Sequence, residues 1–108
     1  MVKFNITEVK FNESTRKYEL VLANGQQFDA ATLQALRKAY DTAVESGGAK
    51  PIFAVIRPDK RKQTVTCRIS ETNILLVFPE SVYNQKLHCT PPTWEYALCD
   101  MLGVPMVD

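Results

Sequence analysis

Histidine and cysteine are scarce in this chain, and their scarcity excludes most of the chemistry that they carry. There is one histidine, His88, and there are three cysteines, Cys67, Cys89 and Cys99. A zinc site needs about four ligands in paired spacings such as Cys-x-x-Cys, which these residues lack. Adjacent side chains in an extended segment point in opposite directions, so His88 and Cys89 do not face each other as base and nucleophile. The sequence therefore predicts no metal site, no catalytic residues and no cofactor.

Phosphate-binding motifs and long apolar runs are also absent. The chain has four glycines, none in a Gly-x-Gly-x-x-Gly pattern, and Gly47-Gly48-Ala49-Lys50 lacks the spacing and the hydroxyl residue of a phosphate loop. No apolar run approaches the roughly 20 residues that span a bilayer, and the first residues carry no signal-peptide hydrophobic stretch. The odd number of cysteines then indicates free thiols. We expect a cytoplasmic protein, in the producing or the host cell, that contacts no membrane.

What is present is an ordinary globular composition. Apolar residues make up 45% of the 108 residues and charged residues 23%, which predicts one folded domain over residues 1–108.

Three stretches near the middle of the chain predict the central strands. The apolar runs at residues 52–56 and 74–78 are typical of strands that are buried on both faces. Between them, residues 64–70 alternate apolar and polar side chains, which predicts a strand with one wet face and with Cys67 pointing inward. Residues 57–63 predict a turn, because they contain a Pro-Asp pair and many charges.

The first residues predict a hairpin with an irregular first strand. The apolar positions of residues 2–6 share one phase, whereas Val9 and Phe11 share the other, which indicates a β-bulge at Thr7-Glu8. Because bulges favour sheet edges, we place this strand at the edge. The second strand continues to Leu22, and residues 26–28 predict a short further strand.

A long amphipathic helix is predicted over residues 30–45. Asp29 is a suitable N-cap residue, and Gly47-Gly48 is a suitable C-terminal stop. The stripe expected to face the core consists of Leu33, Leu36, Tyr40, Ala43 and Val44.

A short C-terminal helix completes the predicted fold. Residues 90–93 have the composition of a helix start, and Gly103 that of a helix end. The order is β-β-α-β-β-β-α, which predicts an α+β fold: a mostly antiparallel sheet of about five strands, the long helix across one face, and the short C-terminal helix. We expect the C-terminal stretch to dock on the second face of the sheet, because two central strands look buried on both sides.

Charge is unevenly distributed, although the net charge is only +1. Residues 51–70 hold five cations and one carboxylate, whereas residues 71–108 hold one lysine and five carboxylates. A cluster of cations on one hairpin is what contacts with phosphates or acidic proteins require, and a charged hairpin also protects a sheet edge from aggregation. The predicted partner-binding residues are Arg57, Lys60, Arg61, Lys62 and Arg68.

The C-terminal stretch is a second predicted interface. Tryptophan, tyrosine and methionine are enriched at the cores of protein interfaces. The residues in question are Trp94, Tyr96, Met101 and Met106. The alternative for these side chains is packing against their own domain.

By elimination, the sequence predicts a non-enzymatic macromolecule-binding protein. We expect a protein–protein interaction or inhibitor module of the accessory type that viruses and mobile elements encode, an association made by size and composition alone. The expected partner is a protein, and a second copy of the chain in a homodimer is one such partner. The alternative is a nucleic-acid-binding module that uses the basic hairpin 57–68, although no aromatic residue lies between Phe53 and Phe78 to stack on bases. A small enzyme that pairs His88 with a cysteine is a third hypothesis.

Overall fold

The computed structural model describes residues 2–46, 54–88 and 92–105. These residues form five strands and two helices in the predicted order, with one additional short helix and a 3₁₀ turn at Ala23–Gly25. The α+β class is confirmed. In chain order the elements are β1 (Val2–Asn12), β2 (Lys17–Leu22), α1 (Ala30–Glu45), β3 (Ala54–Asp59), β4 (Thr64–Ile69), β5 (Ile74–Pro79), α2 (Glu80–Tyr83) and α3 (Thr93–Leu102).

The strands form one sheet in the order β2-β1-β5-β4-β3. Every neighbouring pair is antiparallel except β1 and β5, which are parallel. The prediction that β1 lies at the sheet edge is therefore wrong, because β1 lies between β2 and β5. The edges among the described strands are β2 and β3.

The predicted bulge in β1 is confirmed, and the sheet explains its position. Residues 2–5 pair with β5, whereas residues 6–12 pair with β2. The register shifts between Ile6 and Glu8, where β1 passes from one partner to the other. The Thr7 hydroxyl donates a hydrogen bond of 3.1 Å to the Val21 carbonyl. The bulge thus lies at the point where β1 changes from pairing with β5 to pairing with β2.

One face of the sheet carries the whole hydrophobic core of the described residues. Side chains that lie directly opposite each other across neighbouring strands, such as Phe4 with Leu76 and Val65 with Phe78, are buried in a single cluster. Both α1 and α3 contribute residues to that cluster. Arg37 of α1 also donates to the Leu102 carbonyl of α3. The expectation that the C-terminal helix docks on the second face is wrong, since both helices lie on the same face.

The second face of the sheet has no described element over it, which corrects the prediction of two strands buried on both sides. In β5, Leu75 and Val77 point to this open face and are half-buried. In β3, Val55 on the open face is 47% exposed, and Ile56 on the helix side is 37% exposed. Because β3 has a neighbour only on the β4 side, an apolar sequence here did not mean burial.

The long helix begins and ends where the sequence predicts. The Asp29 carboxylate accepts a hydrogen bond of 2.7 Å from the Thr32 N–H, and this bond lowers the pKa of Asp29. Residues 26–28 form no strand, since Phe28 packs into the core just before the cap. Val44 was expected to face the core but is 40% exposed. Ala39, which was not part of the predicted stripe, is buried in the core instead. The predicted stop at residues 47–48 lies outside the described residues.

The short helix α3 ends as predicted and begins without a side-chain cap. Gly103 adopts the left-handed conformation (φ 71°), which costs glycine little because it has no Cβ. Pro92 occupies the N-cap position and makes no side-chain hydrogen bond there, while Thr90 lies outside the described residues. No helix in the described part of the chain is long and apolar enough to cross a membrane.

Candidate functional site: the basic hairpin and its open face

The hairpin of β3 and β4 presents the five cations predicted to bind a partner. β3 continues through Arg57 to Asp59, so the turn is shorter than predicted and covers residues 60–63. The Asp59 carboxylate accepts hydrogen bonds from the backbone N–H of Arg61 (3.1 Å) and of Lys62 (3.3 Å). These bonds form an Asx turn, so the only carboxylate of the hairpin is engaged in holding its tip.

The pairing of β3 with β4 divides the cations into two groups. Val55 lies opposite Arg68, and Arg57 lies opposite Thr66. Since directly paired residues share a face, Arg57 and Arg68 both project from the open face and lie diagonally across the two strands. The other three cations, Lys60, Arg61 and Lys62, belong to the turn. The structure therefore joins two arginines on the sheet face to a cationic tip.

A groove runs over this part of the open face. Its volume is about 710 Å³, and it extends from the tip of the hairpin across β4 to β5. Apolar side chains and Thr66 lie on the sheet, and charged side chains surround them. The lining residues are Val55, Arg57, Pro58, Asp59, Lys60, Arg61, Thr66, Arg68 and Leu75. Lys62 instead borders a neighbouring groove with Pro79 and Glu80.

None of these five cations is neutralised by an ion pair with a described residue. The two ion pairs among the described residues join Lys10 to Glu19 (3.7 Å) and Arg37 to Asp41 (3.4 Å), and both lie outside the hairpin. All five cations are exposed. The groove and the tip therefore carry a net positive charge, which favours an anionic ligand.

The thiols that the structure describes are buried in the core. Burial, reinforced by the nearby Glu95 carboxylate, raises the pKa of Cys67 to about 12 and that of Cys99 to about 11. At neutral pH both are protonated, whereas a nucleophilic cysteine needs its thiolate. His88 packs its ring against that of Phe11, with 4.9 Å between centroids. Cys89 lies outside the described residues, and the described ones contain no cluster of metal-ligating side chains.

The described residues of the second predicted interface differ in their exposure. Trp94 is 1% exposed and packs against Phe78, with 5.4 Å between ring centroids, so its expected exposure to a partner is corrected. Tyr96 is half-buried and its ring lies 6.2 Å from that of Tyr18. Met101 is 37% exposed, and Met106 lies outside the described residues.

Sequence reasoning missed the exposed edge of β3. The apolar run that ends at Ile56 suggested a central strand, but Pro58 follows two residues later in the same strand. Proline cannot donate to a neighbouring strand and is confined to edge strands, strand starts and bulges. Pro58 was thus the signal that identifies β3 as an edge.

Comparison with known proteins adds no further information about the site. No protein-family model, no curated protein and no solved structure matches the chain.

Proposed function

We propose that this chain is a non-enzymatic protein-binding module whose contact surface is the β3–β4 hairpin and its open groove, and that its partner presents an acidic surface. One observation carries the proposal: five exposed cations lie together without an ion pair to any described residue, beside the apolar side chains of Val55 and Leu75. Charge contributes the attraction and the specificity, and the apolar side chains contribute buried area.

The buried thiols support a binding role over catalysis. Raised pKa values keep Cys67 and Cys99 protonated, which disfavours the third hypothesis of a histidine–cysteine enzyme for these two residues. Cys67 and Cys99 are buried as thiols and are not joined in a disulfide, which fits a reducing compartment, so we place the protein in the cytoplasm. A small module that covers an acidic surface of another protein would act as an inhibitor or accessory factor by occupying that surface.

Nucleic-acid binding is the second candidate function, and it is favoured by the geometry of the hairpin. Arg57 and Arg68 lie on one face of the hairpin beside its cationic tip, and clustered exposed cations attract the phosphate backbone of a nucleic acid. Against it, the open-face positions of β3, β4 and β5 include no aromatic side chain on which a base could stack. We therefore rank the acidic protein first.

A binding experiment with three labelled probes tests the proposal. The probes are a peptide of alternating glutamate and valine, a single-stranded oligonucleotide and a DNA duplex, followed by fluorescence anisotropy at increasing salt. The variant Arg57→Gln/Arg68→Gln removes two charges from the groove. The control Lys17→Gln/Lys38→Gln removes two exposed charges from β2 and α1.

The expected result is binding of the acidic peptide in preference to both nucleic acids. Two exposed charge contacts are worth about 1.4 kcal/mol together, so the groove variant should bind about tenfold more weakly, while the control should bind like the wild type. Tighter binding of either nucleic acid would instead support the second candidate function. In that case the affinity should depend steeply on salt, and the groove variant should lose this dependence. Equal losses in both variants would contradict the assignment of the groove.

A further inference from the structure

The outer edge of β3 has unpaired backbone groups. Among the described residues, β3 pairs only with β4, so every second N–H and C=O of β3 faces away from the sheet. Proline on an edge strand lies with its missing N–H facing outward. The outward-facing residues of β3 are therefore those in phase with Pro58, namely Ala54 and Ile56.

We propose that the partner supplies an extended acidic segment that pairs with this edge of β3 as a sixth strand. The inference rests on the proposed function and adds the mode of recognition. Strand addition takes its affinity from main-chain hydrogen bonds and its specificity from alternate side chains. The N–H and C=O of Ile56 and the C=O of Pro58 would bond to the added strand.

The side chains around the edge specify the pattern of that segment. Side chains directly opposite each other on paired strands lie about 5 Å apart on the same face. A residue opposite Arg57 would therefore lie on the open face, within reach of that guanidinium and near Arg68. A residue opposite Ile56 would lie on the helix side, against an apolar side chain that is 37% exposed. The preferred segment alternates acidic residues with apolar ones.

Charge decides between this occupant and a second copy of the chain. Each hairpin carries five cations and one carboxylate, and pairing β3 of one copy with β3 of another would bring ten cations to one sheet. The repulsion acts over about 10 Å at an ionic strength of 0.1 M. The same charges attract an acidic strand, so the edge rejects its own copy and accepts a partner of opposite charge.

Peptides with blocked backbone amides test the strand pairing directly. In the alternating glutamate–valine peptide, N-methylation is placed either on all valine amides or on all glutamate amides. Only one of these two sets faces β3 in an added strand, because successive amides of a strand point in opposite directions. One methylated peptide should bind at least about tenfold more weakly, and the other within about threefold of the parent.

Hydrogen exchange of the protein supplies the second readout. The Ile56 amide should exchange at least about tenfold more slowly in the complex, since it becomes hydrogen-bonded. The amides of Val55 and Arg57, which face β4, should keep their rates. Both readouts use the wild-type protein, so neither depends on a variant that fails to fold.

The unfavourable outcomes are distinguishable. If both methylated peptides bind like the parent and the Ile56 amide is unchanged, the contact is made by side-chain charges alone; strand addition is then wrong and the proposed function survives. If no acidic peptide binds, or if an oligonucleotide is preferred, the proposed function fails with it. Self-association that protects the Ile56 amide without peptide would assign the edge to a second copy and overturn the choice of occupant.

Discussion

Cys67 and Cys99 show how burial determines the chemistry of a residue. Both side chains are almost fully enclosed by apolar neighbours, and removal from water disfavours the thiolate. The Glu95 carboxylate acts in the same direction, because a negative charge nearby opposes a second one. The two thiols therefore behave as small apolar core residues. The inward phase of Cys67 was predictable from the alternation of its strand, whereas the burial of Cys99 needed the packing of α3.

The raised thiol pKa values predict a loss of stability at alkaline pH. An unfolded thiol ionises near its ordinary value of 9.0, whereas Cys99 and Cys67 in the folded protein ionise near 11 and 12. Between those values the unfolded state has released protons that the folded state retains. The free energy of unfolding should therefore be insensitive to these thiols below pH 9 and should fall above it, by about 1.4 kcal/mol per pH unit for each thiol.

Urea denaturation at a series of pH values from neutral to about pH 10 measures this slope. The control is Cys67→Ala, which removes one of the two groups and should reduce the slope by one proton while lowering stability at all pH values. An unchanged slope in that variant would show that Cys67 does not contribute.

At the scale of secondary structure, β1 depends on one inserted residue. Its first half pairs with β5 and its second half with β2, and the bulge keeps Phe4, Ile6 and Val9 all directed at the core. If residues 2–12 alternated regularly without the bulge, the side-chain period of two would turn one half of the strand to the open face. The sequence revealed the bulge through the phase change, but the two partners of β1 could not be read from it.

Deletion of Thr7 should therefore cost only about 1 kcal/mol, since the remaining residues of β1 then alternate regularly opposite residues 20–22 and only the Thr7 hydrogen bond is lost. Deletion of Asn5 instead reverses the phase of Phe4 relative to Ile6 and turns the buried Phe4 side chain out of the core, so the expected loss is about 2 kcal/mol. Chemical denaturation followed by circular dichroism measures it. The matched variant Thr7→Val keeps the inserted residue and removes only the hydrogen bond to the Val21 carbonyl, at a cost of about 1 kcal/mol. Similar stability for the two deletion variants would contradict this role of the bulge.

At the scale of the whole molecule, the single core unites all of the described elements. β1 joins the β1–β2 hairpin to the three later strands, and its parallel contact with β5 links residues that are far apart in sequence, such as Val2 and Ile74. Both helices cover the same face of that sheet. Because no described element has a separate core, the hairpin cannot lose its packing independently of the rest.

Unfolding should therefore be one cooperative transition. Trp94, the only tryptophan, lies in the core, so its fluorescence reports tertiary packing, while far-ultraviolet circular dichroism reports secondary structure. The two urea curves should superimpose, with a slope of about 1.5 kcal/mol per molar urea. Leu36→Ala, which truncates a fully buried side chain of α1, should shift both midpoints equally, for a loss of about 2 to 5 kcal/mol. A fluorescence change that precedes the loss of secondary structure would show that α3 detaches first.

The sequence by itself determined the elements, because their causes are local. The N-cap at Asp29, the 3.6-residue period of α1, the alternation of β4 and the stop at Gly103 each depend on neighbours within a few residues. The positive charge of the hairpin could likewise be predicted from its composition. Tertiary structure alone decided the order of the strands, the placement of both helices on one face and the exposure of β3. These features depend on which distant segments pair. An apolar run such as the one ending at Ile56 occurs both in central strands and in edge strands, so the run by itself does not distinguish them.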